Sequence, residues 1–244
     1  MPGFLAGGSP LKPHEIEEVG DVAGKSLLHL QCHFGLDTLA WARLGAEVVG
    51  LDFSREAISE ARALAERAGI AAEFVEANVY AAVEALSGRR FDIVYTGRGA
   101  LVWLPDLVRW AEIVGALLEP GGIFYIDEHH PIGEIFDDEA EELRIRYPYF
   151  HAPEPDRWDE PGSYADPTVA TTENVTYQWG HTIGQIVTAL AQAGVVIEFL
   201  HESDSLFWKR FPFMVPGEVP GTWLLPEHRE SVPLVFSLRA RKPA

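Results

Sequence analysis

At 244 residues the chain can form one large domain or two small ones, and its 47% hydrophobic content can fill a sizeable core. With 37 acidic against 19 basic residues the net charge is −18. Such a surface repels phosphate backbones and anionic lipid, which argues against nucleic acid or membrane as a partner. A single cysteine, Cys32, excludes an intrachain disulfide. No apolar run approaches the roughly 20 residues of a membrane helix, and the opening MPGFLAGGSPLKPHE lacks the basic start and apolar core of a signal peptide. The profile is that of a soluble cytoplasmic protein.

In chain order, residues 13–19 read as a short helix and 26–30 as an apolar strand. A turn follows, then a helix over 37–44 that stops at Gly45. Residues 47–51 form the next strand, closed by Asp52, and Ser54 caps a long helix that Gly69 ends. AAEFVEA is a third strand and FDIVYTG a fourth. Leu107, Trp110, Ala111, Val114, Leu117 and Leu118 recur at helical spacing, and Pro120-Gly121-Gly122 turns the chain into a fifth strand, IFYIDE. Strands alternating with helices predict a parallel sheet covered on both faces.

The alternation then breaks. Residues 147–176 hold Pro148, Pro153, Pro155, Pro161 and Pro167 among Tyr147, Tyr149, Phe150, Trp158 and Tyr164. A stretch this long and irregular predicts a lid or binding loop. HTIGQIVTALAQAG resumes as a helix and VVIEFLHE as a strand; residues 204–230 form a second irregular stretch with Phe207, Trp208, Phe211, Phe213 and Trp223. The closing PLVFSLRARK alternates as an edge or antiparallel strand would. One α/β domain over 1–244 is expected, a Rossmann-like, doubly wound, mostly parallel seven-stranded sheet with an antiparallel edge strand. Its insertions at 147–176 and 204–230 would cover the substrate.

Strand, turn, helix, strand and acid form a nucleotide-binding unit, but the turn Gln31-Cys32-His33-Phe34-Gly35 lacks the GxGxxG that lets a backbone approach a pyrophosphate. A nucleoside without phosphate relaxes that demand, and Asp52 stands where an acid accepts hydrogen bonds from ribose hydroxyls. Asp127-Glu128-His129-His130 ends the fifth strand, on the side where open parallel sheets bind ligands. Adjacent strand residues point to opposite faces, so at most one of the two histidines faces a pocket there. Glu128, His129 and His130 are the candidates for a general base or acceptor contact. His151, His181 and His201 have no partner at ligand spacing, and no metal is expected. Cys32 reads as a small buried thiol.

The order LHLQCHFG, VVGLDFS, EANVY, FDIVYTGRGALVWLPD and LLEPGGIFYIDEHHP resembles the class I S-adenosylmethionine-dependent methyltransferases, in particular a bacterial subfamily of unknown substrate. The resemblance implies S-adenosyl-L-methionine as cofactor. It implies that Gln31, His33 and Gly35 border it, with Asp52 and Phe53 at the ribose, Asn78 and Val79 at the adenine, and Thr96 and Gly97 at the methionine part. It also implies methyl transfer to an unidentified acceptor. His29 stands where the superfamily often has an acid. The amino-group signature of aspartate or asparagine followed by Pro-Pro-Tyr is missing after the fourth strand, so a small-molecule acceptor is expected. The alternatives are an NAD(P)-dependent oxidoreductase and a protein that binds S-adenosylmethionine without catalysis. The oligomeric state is not legible.

Overall fold

The computed structural model describes residues 2–159, 174–219 and 221–244. Pro161, Tyr164 and Pro167 of the first insertion lie outside the described residues.

The elements run α1 (Pro2–Leu5), α2 (Pro13–Val19), β1 (Ser26–Leu30), α3 (Leu36–Arg43), β2 (Glu47–Asp52), α4 (Arg55–Ala68), β3 (Glu73–Glu76), α5 (Ala82–Ala85), β4 (Phe91–Gly97), α6 (Leu107–Leu117) and β5 (Leu118–His129). They continue with β6 (Asp156–Asp159), β7 (Val175–Gln178), α7 (Ile183–Gln192), β8 (Val196–Ser203), β9 (Ser205–Leu206), β10 (Val215–Pro216), β11 (Trp223–Leu224) and β12 (Val235–Arg241). Ser54 caps α4 by accepting from the Ala57 amide at 3.2 Å, and Asp106 caps α6 by accepting from the Arg109 amide at 2.9 Å. Each cap serves one of the first turn's free donors.

Seven strands form one sheet in the order β3-β2-β1-β4-β5-β12-β8. β1, β2, β3, β4 and β5 pair in parallel, and β12 runs antiparallel between β5 and β8. The antiparallel strand is the final one, one position in from the edge. Pro120-Gly121-Gly122 is looped out within β5, where the register jumps from Phe91↔Leu118 to Ile93↔Ile123. A Cβ at Gly122 would meet three carbonyl oxygens at 2.9–3.0 Å, so only glycine fits there.

Successive strand residues feed opposite faces. Leu28, Val49, Val94, Phe124 and Phe236 pack under α6 and α7. Leu27, Val48, Ile93, Tyr95 and Tyr125 pack under α3 and α4. A third cluster, including Ile135, Phe136, Leu206, Phe211, Met214 and Leu225, lies beneath the insertions. Part of the insertion aromatics is therefore a satellite core. The sheet order reverses between β1 and β4, which puts the ligand crevice outside the carboxyl ends of these strands.

Candidate active site

The turn after β1 keeps a glycine-like backbone without the glycines. Gln31 and His33 both have positive φ, 56° and 50°, and Gly35 follows at 74°. Side chains seldom adopt this left-handed region, and such conformations concentrate at ligand sites. A Cβ at Gly35 would come within 2.5 Å of the Phe74 ring, so α3 can start there only on glycine. The Gln31 amide donates from Nε2 to the Ala100 carbonyl at 2.9 Å, while its Oε1 is buried with no hydrogen-bond partner among the described residues.

Asp52, at the end of β2, is buried. One carboxylate oxygen accepts from the His33 amide at 2.8 Å and the other from the Ser54 amide at 2.9 Å. Each oxygen keeps a second lone pair. Phe53 beside it is 71% exposed, an unusual state for a ring at a strand end. Asn78 is exposed and accepts from the Tyr80 amide at 2.9 Å, capping the 3₁₀ turn Val79–Ala81; Val79 itself is buried. Thr96 is fully buried, its Oγ1 without a hydrogen-bond partner among the described residues, and Gly97 pairs with Asp127 across β4 and β5. His29 bonds Thr38 Oγ1 at 2.8 Å, and burial pushes its imidazole down to about 3, so it is neutral. Burial raises the Cys32 thiol well above its ordinary range, which makes it inert at neutral pH.

Residues 98–101 form a wall between two regions. Arg98 enters it with φ 37°, and its guanidinium is bound by Glu15, by Asp37 at 3.3 Å and by Asp127 at 3.2 Å. Its side chain is 14% exposed. Tyr95 donates to Glu15 at 2.7 Å, and His14 Nε2 lies 3.1 Å from Asp127. Burial raises the Glu15 carboxyl to about 7 and also raises Asp37, both opposed by Arg98; the hydrogen bond that His14 donates to Asp127 raises His14. Three carboxylates share one guanidinium, and the cluster retains a proton up to about neutral pH.

On the same wall, Glu128 accepts from the amides of Gly99, of Ala100 at 2.8 Å, of Leu101 at 3.2 Å and of His129 at 2.8 Å. Its carboxylate is an anchor for the loop. His129 packs against Phe207 and Trp208, whose ring centroids are 5.3 and 4.2 Å away. Its Nδ1 is 3.9 Å from Glu128 Oε1, and its Nε2 is buried without a hydrogen-bond partner among the described residues. Burial holds the ring below its ordinary pKa. His130 turns the other way: its Nε2 meets Glu202 at 2.9 Å and its Nδ1 accepts from the Ile132 amide at 3.1 Å. His181 meets the Leu104 carbonyl at 2.8 Å and His201 meets Glu18 at 2.6 Å, as ordinary satisfied histidines do.

Beyond His129 opens a cleft of about 740 Å³. Its rings are Trp103, Tyr147, Trp158, Trp179, Phe207 and Trp208, drawn from both insertions and from the segment after β4. Arg210 spans the cleft floor to Glu134 and, at 2.8 Å, to Asp138. Sequence reasoning missed the Glu15–Arg98 cluster, the Arg210 pairs and Trp179. Acids on short helices carry no periodic signal for partners so distant in the chain.

A doubly wound sheet of this order, with an acid at the end of β2 and a bonded turn after β1, defines the class I methyltransferase fold. The comparisons agree. A family model described as a methyltransferase domain matches residues 27–122. The ubiquinone biosynthesis O-methyltransferase of Ralstonia nicotianae is 32% identical over 125 residues, 50% of this chain and 50% of that protein. The same enzyme from Methylobacterium nodulans is 35% identical over 121 residues, 49% of this chain and 44% of that protein. The chain spans about half the length of the curated relatives it matches. An S-adenosylmethionine-dependent methyltransferase structure from Mesorhizobium loti superposes with a TM-score of 0.59 at 21% identity, covering 98% of this chain and 100% of that one. Magnesium protoporphyrin IX methyltransferase from Synechocystis with bound SAH gives 0.54 at 12% identity, covering 98% and 91%. The fold is that of the solved S-adenosylmethionine-dependent methyltransferases, and the methyltransferase-domain match falls on its first five strands.

Proposed function

We propose that the chain methylates a small-molecule acceptor seated in the aromatic cleft, with S-adenosylmethionine held across the open ends of β1, β2 and β4. One observation carries this reading. The 98–101 wall has Gln31, with an unpartnered buried Oε1, on one side, and His129 and the cleft on the other. A donor nucleoside and an acceptor would thus meet across one short loop.

The groups present fit the cofactor. Asp52 has lone pairs left for ribose hydroxyls, and Phe53 offers an exposed ring face for the adenine. Gln31 Oε1 is an acceptor for the ammonium of a methionine tail, and the backbone at His33, Gly35, Thr96 and Gly97 lies around it. When bound, S-adenosylmethionine supplies a methyl group already activated on a sulfonium. The chain's own work is to position the acceptor and exclude water. Glu128 holds the wall, His129 is the general base where the acceptor must lose a proton, and His130 fixes the strand exit. Tyr147, Trp158 and Thr176 of the first insertion and Phe207, Trp208 and Arg210 of the second line the cleft. The names of the curated relatives support a small-molecule acceptor, and the charge of −18 disfavours nucleic acid. Among the described residues no helix is long and apolar enough to cross a membrane; with the lone cysteine, this supports work in the cytoplasm.

Calorimetry with S-adenosylhomocysteine tests the reading. Wild type binds; Asp52→Ala binds about tenfold to a hundredfold more weakly, the range for losing hydrogen bonds to a charged group. A wild-type chain that ignores the ligand overturns the proposal. A second reading, nucleoside binding without turnover, is favoured by Trp208 packing over His129 at 4.2 Å. It predicts binding with no methylated product from any acceptor.

A further inference from the structure

The cleft states what its occupant must look like, given the methyl-transfer reading above on which this inference rests. Its charged groups are already paired. Arg98 is engaged by Glu15, Asp37 and Asp127, and Arg210 by Glu134 and Asp138. At the rim, Asp156 lies 3.7 Å from His151. An anionic acceptor meets no open guanidinium and a cationic one meets no open carboxylate, and an unpaired charge entering such a cleft is costly. The walls are aromatic, so they favour a flat apolar body. A volume of about 740 Å³ admits more than one ring.

His129 Nε2 and Trp158 Nε1, both on lining residues, are buried without a hydrogen-bond partner among the described residues. Buried polar groups are normally satisfied, and the ligand is the natural partner. The indole can only donate. The imidazole is neutral, and the tautomer with its proton on Nδ1, the nitrogen facing the Glu128 carboxylate at 3.9 Å, is the one a base would use. Nε2 then carries the free lone pair. The occupant must present a donor to His129 and an acceptor to Trp158.

We infer that the methyl acceptor is a neutral, planar, multi-ring hydroxyarene with a second oxygen near the hydroxyl, methylated on the hydroxyl oxygen with His129 Nε2 as base. The hydroxyl proton passes to Nε2. The acceptor oxygen forms the new O–CH3 bond as the methyl-to-sulfur bond of the donor breaks, its electron pair remaining on sulfur to give the neutral thioether. Trp158 Nε1–H holds the second oxygen, and Trp208 and Phe207 flank the ring.

The test uses the full chain with 3-methoxy-2-naphthol and 2,3-dihydroxynaphthalene, set against 3-methoxy-2-naphthylamine and 3-hydroxy-2-naphthoate. Tryptophan fluorescence reads binding, and mass spectrometry reads the methylated product. The naphthols quench saturably and are methylated on oxygen; the amine, neutral and with the same donor and acceptor, binds without methylation, and the carboxylate does neither. His129→Gln keeps S-adenosylhomocysteine binding but lowers kcat about a hundredfold or more and removes the acidic limb of the pH–rate profile. Trp158→Phe raises KM about tenfold with kcat little changed. If S-adenosylhomocysteine binds but neither naphthol is bound or methylated, the acceptor class is wrong and the methyltransferase reading stands. Preferred methylation of the amine or the carboxylate has the same meaning. If S-adenosylhomocysteine itself does not bind, the underlying reading fails.

Discussion

Glu128 and His129 are neighbours in sequence with opposite tasks. Glu128 serves four backbone amides, three of them in the 98–101 wall. Glu128→Gln leaves one acceptor oxygen where there were two and turns an amide donor toward backbone donors. The wall should loosen, and with it the Ala100 carbonyl that holds Gln31. Glu128→Gln should therefore weaken S-adenosylhomocysteine binding by about tenfold, consistent with one lost charge-assisted hydrogen bond, as well as slow turnover. His129→Gln should affect turnover alone. Titration of both variants by calorimetry separates the two roles; equal affinities for the cofactor product would contradict the anchoring of the wall by Glu128. At this scale the sequence was informative where position alone decides. Asp52 stands at a strand end, and the strand period allowed only one of His129 and His130 into the pocket, as found. It was blind to Arg98, because the partners of that residue lie 83, 61 and 29 positions away in the chain.

Among the elements, α2 is the one whose function exceeds its length. It has seven residues, yet it brings Glu15 and His14 over the ends of β4 and β5. The cluster it completes titrates. The Glu15 pKa is raised by burial from 4.5 to about 7. A raised carboxyl means that the folded state holds more protons than the unfolded one. Its stabilising contribution is full below about pH 4.5 and lost as pH rises through about 7. His14, raised by Asp127, has the same sign. The buried histidines, His29 and His129 among them, are lowered and contribute the opposite slope. Glu15→Gln, which cannot titrate, isolates the Glu15 part: in denaturant unfolding, the stability of wild type relative to this variant should fall between pH 5 and 8. A constant difference would mean that Glu15 is ionised throughout. The alternating elements of the sheet were legible from apolar periodicity, caps and glycine stops. The strand pairs β6–β7 and β9–β11 were not, because strands of two to four residues among prolines present no period to read.

At the scale of the molecule, one sheet carries two unlike attachments: a nucleoside-binding edge tied by backbone hydrogen bonds and a cover with its own small core. Arg210 joins that cover to the segment after β5. It is 11% exposed, and it bonds Glu134, which is 29% exposed, and Asp138. Burial raises the Glu134 carboxyl, but Arg210 prevails and holds it below its ordinary range. Removing the arginine strands a largely buried carboxylate, whereas replacing both partners with apolar side chains removes the need for the pair. Arg210→Met should destabilise the chain by about 3 kcal/mol at neutral pH, with the loss shrinking as pH falls and Glu134 takes up a proton. The double variant Arg210→Met/Glu134→Leu should recover most of that loss, leaving Asp138 in solvent contact. Urea unfolding of the single and double variants at pH 5 and pH 7.5 measures both effects. A double variant no more stable than the single would show that Arg210 holds the cover through its stem and its contact with Phe211, at 5.5 Å from that ring, and not through charge.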